Sequence, residues 1–163
     1  MTISLADLNA MPPAEAAKVL AECCGSSRWV EAISAQRPFV SREAVLVAGN
    51  EVCASLDASD WLEAFEHHPR IGERGSALSA REQSGMDEAH DTTREELAAV
   101  NRDYERRFGF IYIVFATGKT ADEMLARARE RMKNDPQIEI SIAAEEQRKI
   151  TQVRLIKLLA EAS

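Results

Sequence analysis

A histidine placed directly before a proline, with carboxylates and guanidinium groups close by in sequence, is the feature of this chain best suited to moving a proton. The stretch Glu66-His67-His68-Pro69-Arg70-Ile71-Gly72-Glu73, followed by Ser79-Ala80-Arg81-Glu82-Gln83, gathers more titratable groups than a structural turn requires. Imidazole titrates near neutrality and can give or accept a proton, whereas a guanidinium keeps its charge and suits a bound anion. Pro69 biases His68 away from helical backbone angles, so His68 is expected at the end of the helix carried by Trp61-Leu62-Glu63-Ala64-Phe65. A histidine at such a place is also commonly a solvated helix end. His67 and His68 lie about 100° apart if helical, and no HxxxH or HExxH spacing occurs, so a metal is not expected.

Two further candidates carry a bland reading beside a chemical one. Ser79-Ala80-Arg81-Glu82 is a capping box, in which Glu82 would answer an orphan amide at a helix start. Arg154 falls in a row with Gln147, Ile150 and Leu158 at helical spacing, where it would snorkel at the edge of a core or face a buried anion.

The elements that must position these residues are mostly helical. Pro12 and Pro13 open a helix carrying Ala17, Val19, Leu20 and Cys23, with Gly25 placed to close it. Ser26 or Ser27 caps a second helix with Trp29, Val30 and Ile33, ending before Arg37-Pro38-Phe39. Ser41 starts a third, with Val45, Ala48, Val52 and Leu56 on one stripe. Thr93-Arg94-Glu95-Glu96 and Thr120-Ala121-Asp122-Glu123 match the capping box and predict helices over about 94–107 and 121–133. After Asn134-Asp135-Pro136 the chain is helix-prone almost to its end. Phe110-Ile111-Tyr112-Ile113-Val114-Phe115-Ala116, with Gly109 before it and Gly118 after, instead favours extended backbone. Without a partner strand, its amides and carbonyls must be met by side chains, water or a ligand. That makes it a buried connector or a backbone cradle for a polar small molecule.

Composition narrows the partners. At 163 residues one domain, 1–163, is expected. A net charge of −7 argues against a nucleic-acid surface. Met1 to Leu20 has no basic start followed by an apolar core, and Phe110 to Ala116 is too short to span a bilayer, so neither export nor a membrane is expected. Cys23, Cys24 and Cys53 form no CxxC and read as core fillers in a reducing compartment.

Taken in order, several short motifs resemble the 2-oxo-4-hydroxy-4-carboxy-5-ureidoimidazoline (OHCU) decarboxylase family. They are Gly25-Ser26-Ser27-Arg28-Trp29, Arg37-Pro38-Phe39, His68-Pro69-Arg70-Ile71-Gly72, Ser79-x-x-Glu82-Gln83, Arg107-Phe108-Gly109-Phe110, Thr117-Gly118-Lys119, and Glu146-Gln147-x-Lys149-Ile150-x-x-x-Arg154-Leu155. The resemblance implies an all-α bundle of about eight helices with one short extended segment near 110–116. It also implies a homodimer without metal or organic cofactor, acting on a small ureidoimidazoline and giving (S)-allantoin in urate degradation. It marks His68 as the catalytic histidine, with Glu82 and Arg154 as further catalytic residues. Pro69, Ser79, Ala80, Arg81, Glu82, Gln83, Tyr112, Ile113, Val114, Phe115, Ala116 and Arg154 are the implied substrate contacts. One departure is Ile111, which stands where many members have proline. The ending Glu161-Ala162-Ser163 lacks the Ser-Lys-Leu peroxisomal address, which makes the cytoplasm the expected location.

The implied chemistry suits these residue types. Loss of CO₂ from carbon leaves an electron pair that must be delocalised and then quenched by a proton delivered to one face. His68 would supply or relay that proton, Glu82 would orient the substrate or take its hydroxyl proton, and Arg154 would bind an anionic group. Two rival classes are a helical interaction module, which would need an exposed apolar face, and a metal-dependent hydrolase using His67, His68, His90 and Glu73.

Overall fold

Capping residues set most of the helix boundaries. The computed structural model describes residues 1–71 and 91–160, and the described residues hold eight helices, one extended segment and no strand. In order, α1 is Leu5–Ala10, α2 Pro13–Ala21, α3 Ser27–Ala35, α4 Arg42–Ser55, α5 Ala58–Phe65, α6 Asp91–Phe108, α7 Ala121–Arg131 and α8 Pro136–Leu158. The expected all-α class with an extended piece near 110–116 is what forms. Ser26, Ser41 and Thr120 each accept from a backbone amide three residues on, and Thr120 with Glu123 completes a capping box. Thr93 does not start its helix. α6 is already formed at Asp91, and the Thr93 hydroxyl instead donates to Asp122 at 3.0 Å. α1, which the sequence pattern did not suggest, is held by a capping box between Ser4 and Asp7.

The chain divides into two compact units: Met1–Ala64 with the end of the chain from Arg148, and Phe65–Gln147. In unit 1, Trp29 is fully buried and donates its indole N–H to the Gly49 carbonyl at 3.2 Å. A Cβ on Gly49 would come within 3.1 Å of Leu155 Cδ1 and 3.2 Å of Gln152 Nε2. Glycine inside α4 costs about 1 kcal/mol against alanine, and burying an aromatic of this kind contributes roughly 1.5–3 kcal/mol, so close packing outweighs propensity. Arg37 donates to the carbonyls of Leu8 at 2.7 Å and Met11 at 2.8 Å, answering orphan groups at the end of α1. The last part of α8 closes the unit. Thr151 donates to the Cys23 carbonyl at 3.1 Å, Gln152 to that of Leu46 at 3.0 Å, and the Ile3 amide donates to the Leu158 carbonyl at 2.8 Å.

Unit 2 is organised around a buried cluster of Leu97, Tyr104, Tyr112, Val114, Ala116, Ala121, Met124, Leu125 and Ala128, with Phe108, Phe110 and Met132 packed against it. Rings of Tyr104 and Tyr112 meet edge-on at 5.4 Å, and those of Phe65 and Phe110 lie 5.2 Å apart. The extended segment is thus core. No helix among the described residues is long and apolar enough to cross a membrane.

Candidate active site

The Phe65-His68 junction behaves as the proline requires. α5 stops at Phe65, the His68 amide donates to the Phe65 carbonyl at 3.2 Å, and His68 stands half-buried in the turn while His67 is exposed. His68 Nε2 lies 2.5 Å from Gln147 Oε1 on α8, and Gln147 is fully buried. Pro69 is half-buried. Arg70, exposed, pairs with Glu105 of α6 at 2.6 Å and turns away from any role as an isolated cation.

Three polar groups in the backbone of the extended segment are met by side chains. Arg131 Nη1 donates to the Ile113 carbonyl at 2.6 Å, the Phe115 amide donates to Glu146 Oε1 at 3.3 Å, and the Lys119 ammonium donates to the Phe115 carbonyl. The Tyr112 hydroxyl donates to the Met124 carbonyl at 3.0 Å. Tyr112, Ile113, Val114 and Ala116 are buried, and Phe115 is half-buried. The connector reading accounts for the Ile113 carbonyl and for both polar groups of Phe115.

Behind it sits a buried polar network. Arg131 and Glu139 pair at 2.6 Å with side chains 9% and 0% exposed, the Tyr104 hydroxyl donates to Glu139, and Asn134 donates to the other Glu139 oxygen at 3.2 Å. Burial works against the Arg131 charge. The hydrogen bond to Glu139 and the Glu139 carboxylate, with the neighbouring Tyr104 and Tyr112 oxygens, outweigh it, so Arg131 is held above its ordinary pKa. Burial pushes the Tyr104 and Tyr112 hydroxyls well above the usual tyrosine range, with Arg131 opposing, so both stay protonated.

In unit 1, Arg154 is buried and donates to the Glu22 carbonyl at 3.3 Å, just past the end of α2. Its burial argues against snorkelling into solvent. Ser79, Ala80, Arg81, Glu82 and Gln83, as well as Gly72, Glu73 and His90, lie outside the described residues. Among the described residues, no group of three His, Cys, Asp or Glu side chains could hold a metal ion.

Sequence reasoning missed Arg131 and Glu139 and left Gln147 without a task. A signal for Arg131 existed: it continues the buried series Ala121, Met124, Leu125 and Ala128 at helical spacing. For Glu139 the neighbouring acidic residues of α8 give no such distinction.

The uric acid degradation bifunctional protein TTL of Arabidopsis thaliana is 40% identical over 148 residues, covering 85% of this chain and 46% of that protein. The 2-oxo-4-hydroxy-4-carboxy-5-ureidoimidazoline decarboxylase of Amia calva is 30% identical over 132 residues, 76% of this chain and 75% of its own. The chain thus spans less than half the length of the bifunctional plant relative, and 32% of the uric acid degradation bifunctional protein PucL of Bacillus subtilis. A crystal structure of OHCU decarboxylase in the presence of (S)-allantoin matches with a TM-score of 0.80 at 34% identity, covering 86% of this chain and 96% of that one. With the OHCU decarboxylase family profile matching residues 9–156, a span that includes His68, Gln147 and Arg154, the chain belongs to the OHCU decarboxylase family.

Proposed function

We propose that this chain is a cofactor-independent decarboxylase that converts OHCU to (S)-allantoin, acting as one OHCU decarboxylase-like domain over 1–163. The observation that carries the reading is the family match over 9–156, which includes every side chain proposed for the chemistry. His68, half-buried and held at one ring nitrogen, suits an acid that protonates the carbanionic centre on one face. Pro69 and the segment Tyr112 to Ala116 would line the heterocycle, Ser79 to Gln83 would supply polar contacts with Glu82 orienting the hydroxyl or ureido group, and Arg154 would hold an anionic group. A homodimer follows the family resemblance, with exposed Val40 and Val47 as apolar surface available for burial. A cytoplasmic location agrees with the three cysteines being buried thiols.

Circular dichroism during enzymatic urate oxidation tests the activity. The uncatalysed route yields racemic allantoin, so a growing signal of one sign is expected only when this protein is present. A racemic product at the uncatalysed rate would overturn the proposal.

A further inference from the structure

Gln147 is fully buried, and its Oε1 lies 2.5 Å from His68 Nε2. An amide oxygen has lone pairs and no proton, so the imidazole nitrogen must be the donor. The bond therefore places the proton of a neutral His68 on Nε2, so that Nδ1 is the ring nitrogen without a proton in that form. The preceding residue of α8, Glu146, is itself buried and accepts from the Phe115 amide at 3.3 Å. Two adjacent side chains, about 100° apart around one helix, thus reach two elements implicated in substrate handling.

Resting on the proposed decarboxylation, we infer that Gln147 is the positioning residue of the reaction, holding His68 by Nε2 so that Nδ1 delivers the proton to substrate. In that step the bond from carbon to the carboxylate breaks, and its electron pair passes into the adjacent unsaturated group. A new C–H bond then forms with the proton of the imidazolium Nδ1. The imidazole is left neutral with Nε2–H still on Gln147, and Nδ1 regains its proton before the next turnover. A rotated ring would present Nε2, or a different face, to the reacting carbon.

The test uses the ¹⁵N-labelled full chain, with His68→Asn assigning the resonance. The parent should show a His68 Nε2–H proton protected from exchange with water and a bare Nδ1 at high pH. Gln147→Met keeps the volume but removes the acceptor. It should lose that protected proton and lose kcat by roughly ten-fold or more, within the 10²–10⁴-fold that a positioned acid supplies, with KM within a few-fold. Gln147→Glu keeps an acceptor oxygen, and should retain the proton and recover most of kcat. It also decides the matter if the methionine variant does not fold. A parent ring protonated on Nδ1, or a folded Gln147→Met with the parent's spectrum and kcat, would overturn the inference. So would a folded Gln147→Glu lacking both the protected proton and activity. The spectrum needs no substrate, so failure of the parent to turn over OHCU would count against the decarboxylase reading alone.

Discussion

Arg131→Met should be the most destabilising single change in unit 2, and the structure sets its scale. The side chain is 9% exposed, pairs at 2.6 Å with a Glu139 that is fully buried, and donates to the Ile113 carbonyl at 2.6 Å. Methionine fills part of the space but leaves the buried Glu139 carboxylate without its cation, held by the Tyr104 hydroxyl and the Asn134 amide. Removing one partner of a buried pair costs about 3–5 kcal/mol. At roughly 2–4 °C per kcal/mol for a chain of this size, Tm should fall by about 6–20 °C. Replacing both partners, as Arg131→Met with Glu139→Leu, removes the orphaned charge and should recover part of that loss. Urea denaturation would be followed by two signals. Trp29 and Trp61 both belong to unit 1, whereas Tyr104 and Tyr112 belong to unit 2, so tryptophan fluorescence and tyrosine near-ultraviolet dichroism report the units separately. The tyrosine transition should move most. A loss below about 1 kcal/mol in Arg131→Met, or a double variant as unstable as the sum of its singles, would refute the argument.

His68→Asn should lower turnover by roughly 10²-fold or more, whereas His67→Asn, on an exposed side chain, should stay within a few-fold; equal losses would remove the basis for choosing His68. Glu82→Gln keeps the capping box, so if Glu82 is only a cap the enzyme stays active, and if it is a charged substrate partner it melts like the parent but loses activity roughly ten- to 150-fold, the roughly 1.5–3 kcal/mol of a charge-assisted bond; we expect the loss. Turnover should survive exhaustive chelation, and copurifying stoichiometric metal whose removal abolishes activity would contradict the cofactor-free proposal. Burial raises the Cys24 thiol pKa, opposed by bonds to Ser26 and Thr151 and by the Arg154 charge. The stability linked to it is therefore fully present below the unfolded thiol's pKa of about 8.5 and is lost as pH rises through the folded value. Urea midpoints measured from pH 7 to 10 should fall less steeply in Cys24→Ala than in the parent.

Features encoded within a few residues could be read directly from the chain. The caps at Ser26, Ser41 and Thr120 depend on a hydroxyl and an amide three positions away, and the His68-Pro69 junction depends on one steric clash; all formed as expected. Thr93 has the same local signature but is claimed by Asp122, a distant partner that no local rule contains. The extended segment was legible from its β-branched and aromatic composition. The groups that satisfy it were not, because Arg131, Lys119 and Glu146 resemble ordinary surface charges until the helices are packed. Gln147 is the sharpest case: its spacing placed it on a partly apolar row, but only burial beside His68 gives its amide oxygen a chemical consequence.

The discontinuous make-up of unit 1 bears on how the chain acquires its structure during synthesis. Residues 65–147 are one unbroken stretch, so unit 2 has all of its partners once the start of α8 leaves the ribosome. The first five helices emerge earlier but must wait: the Cys23 carbonyl meets Thr151 across 128 residues, and the Glu22 carbonyl meets Arg154 across 132. Contacts of such separation form slowly, and at about 5–20 residues per second the delay is roughly 6–26 s. Throughout that interval the faces that later receive α8 stay open to chaperones and to other nascent chains. Truncation before Arg148 should therefore leave the N-terminal helices as the aggregation-prone part of the molecule, although they are the first to be made.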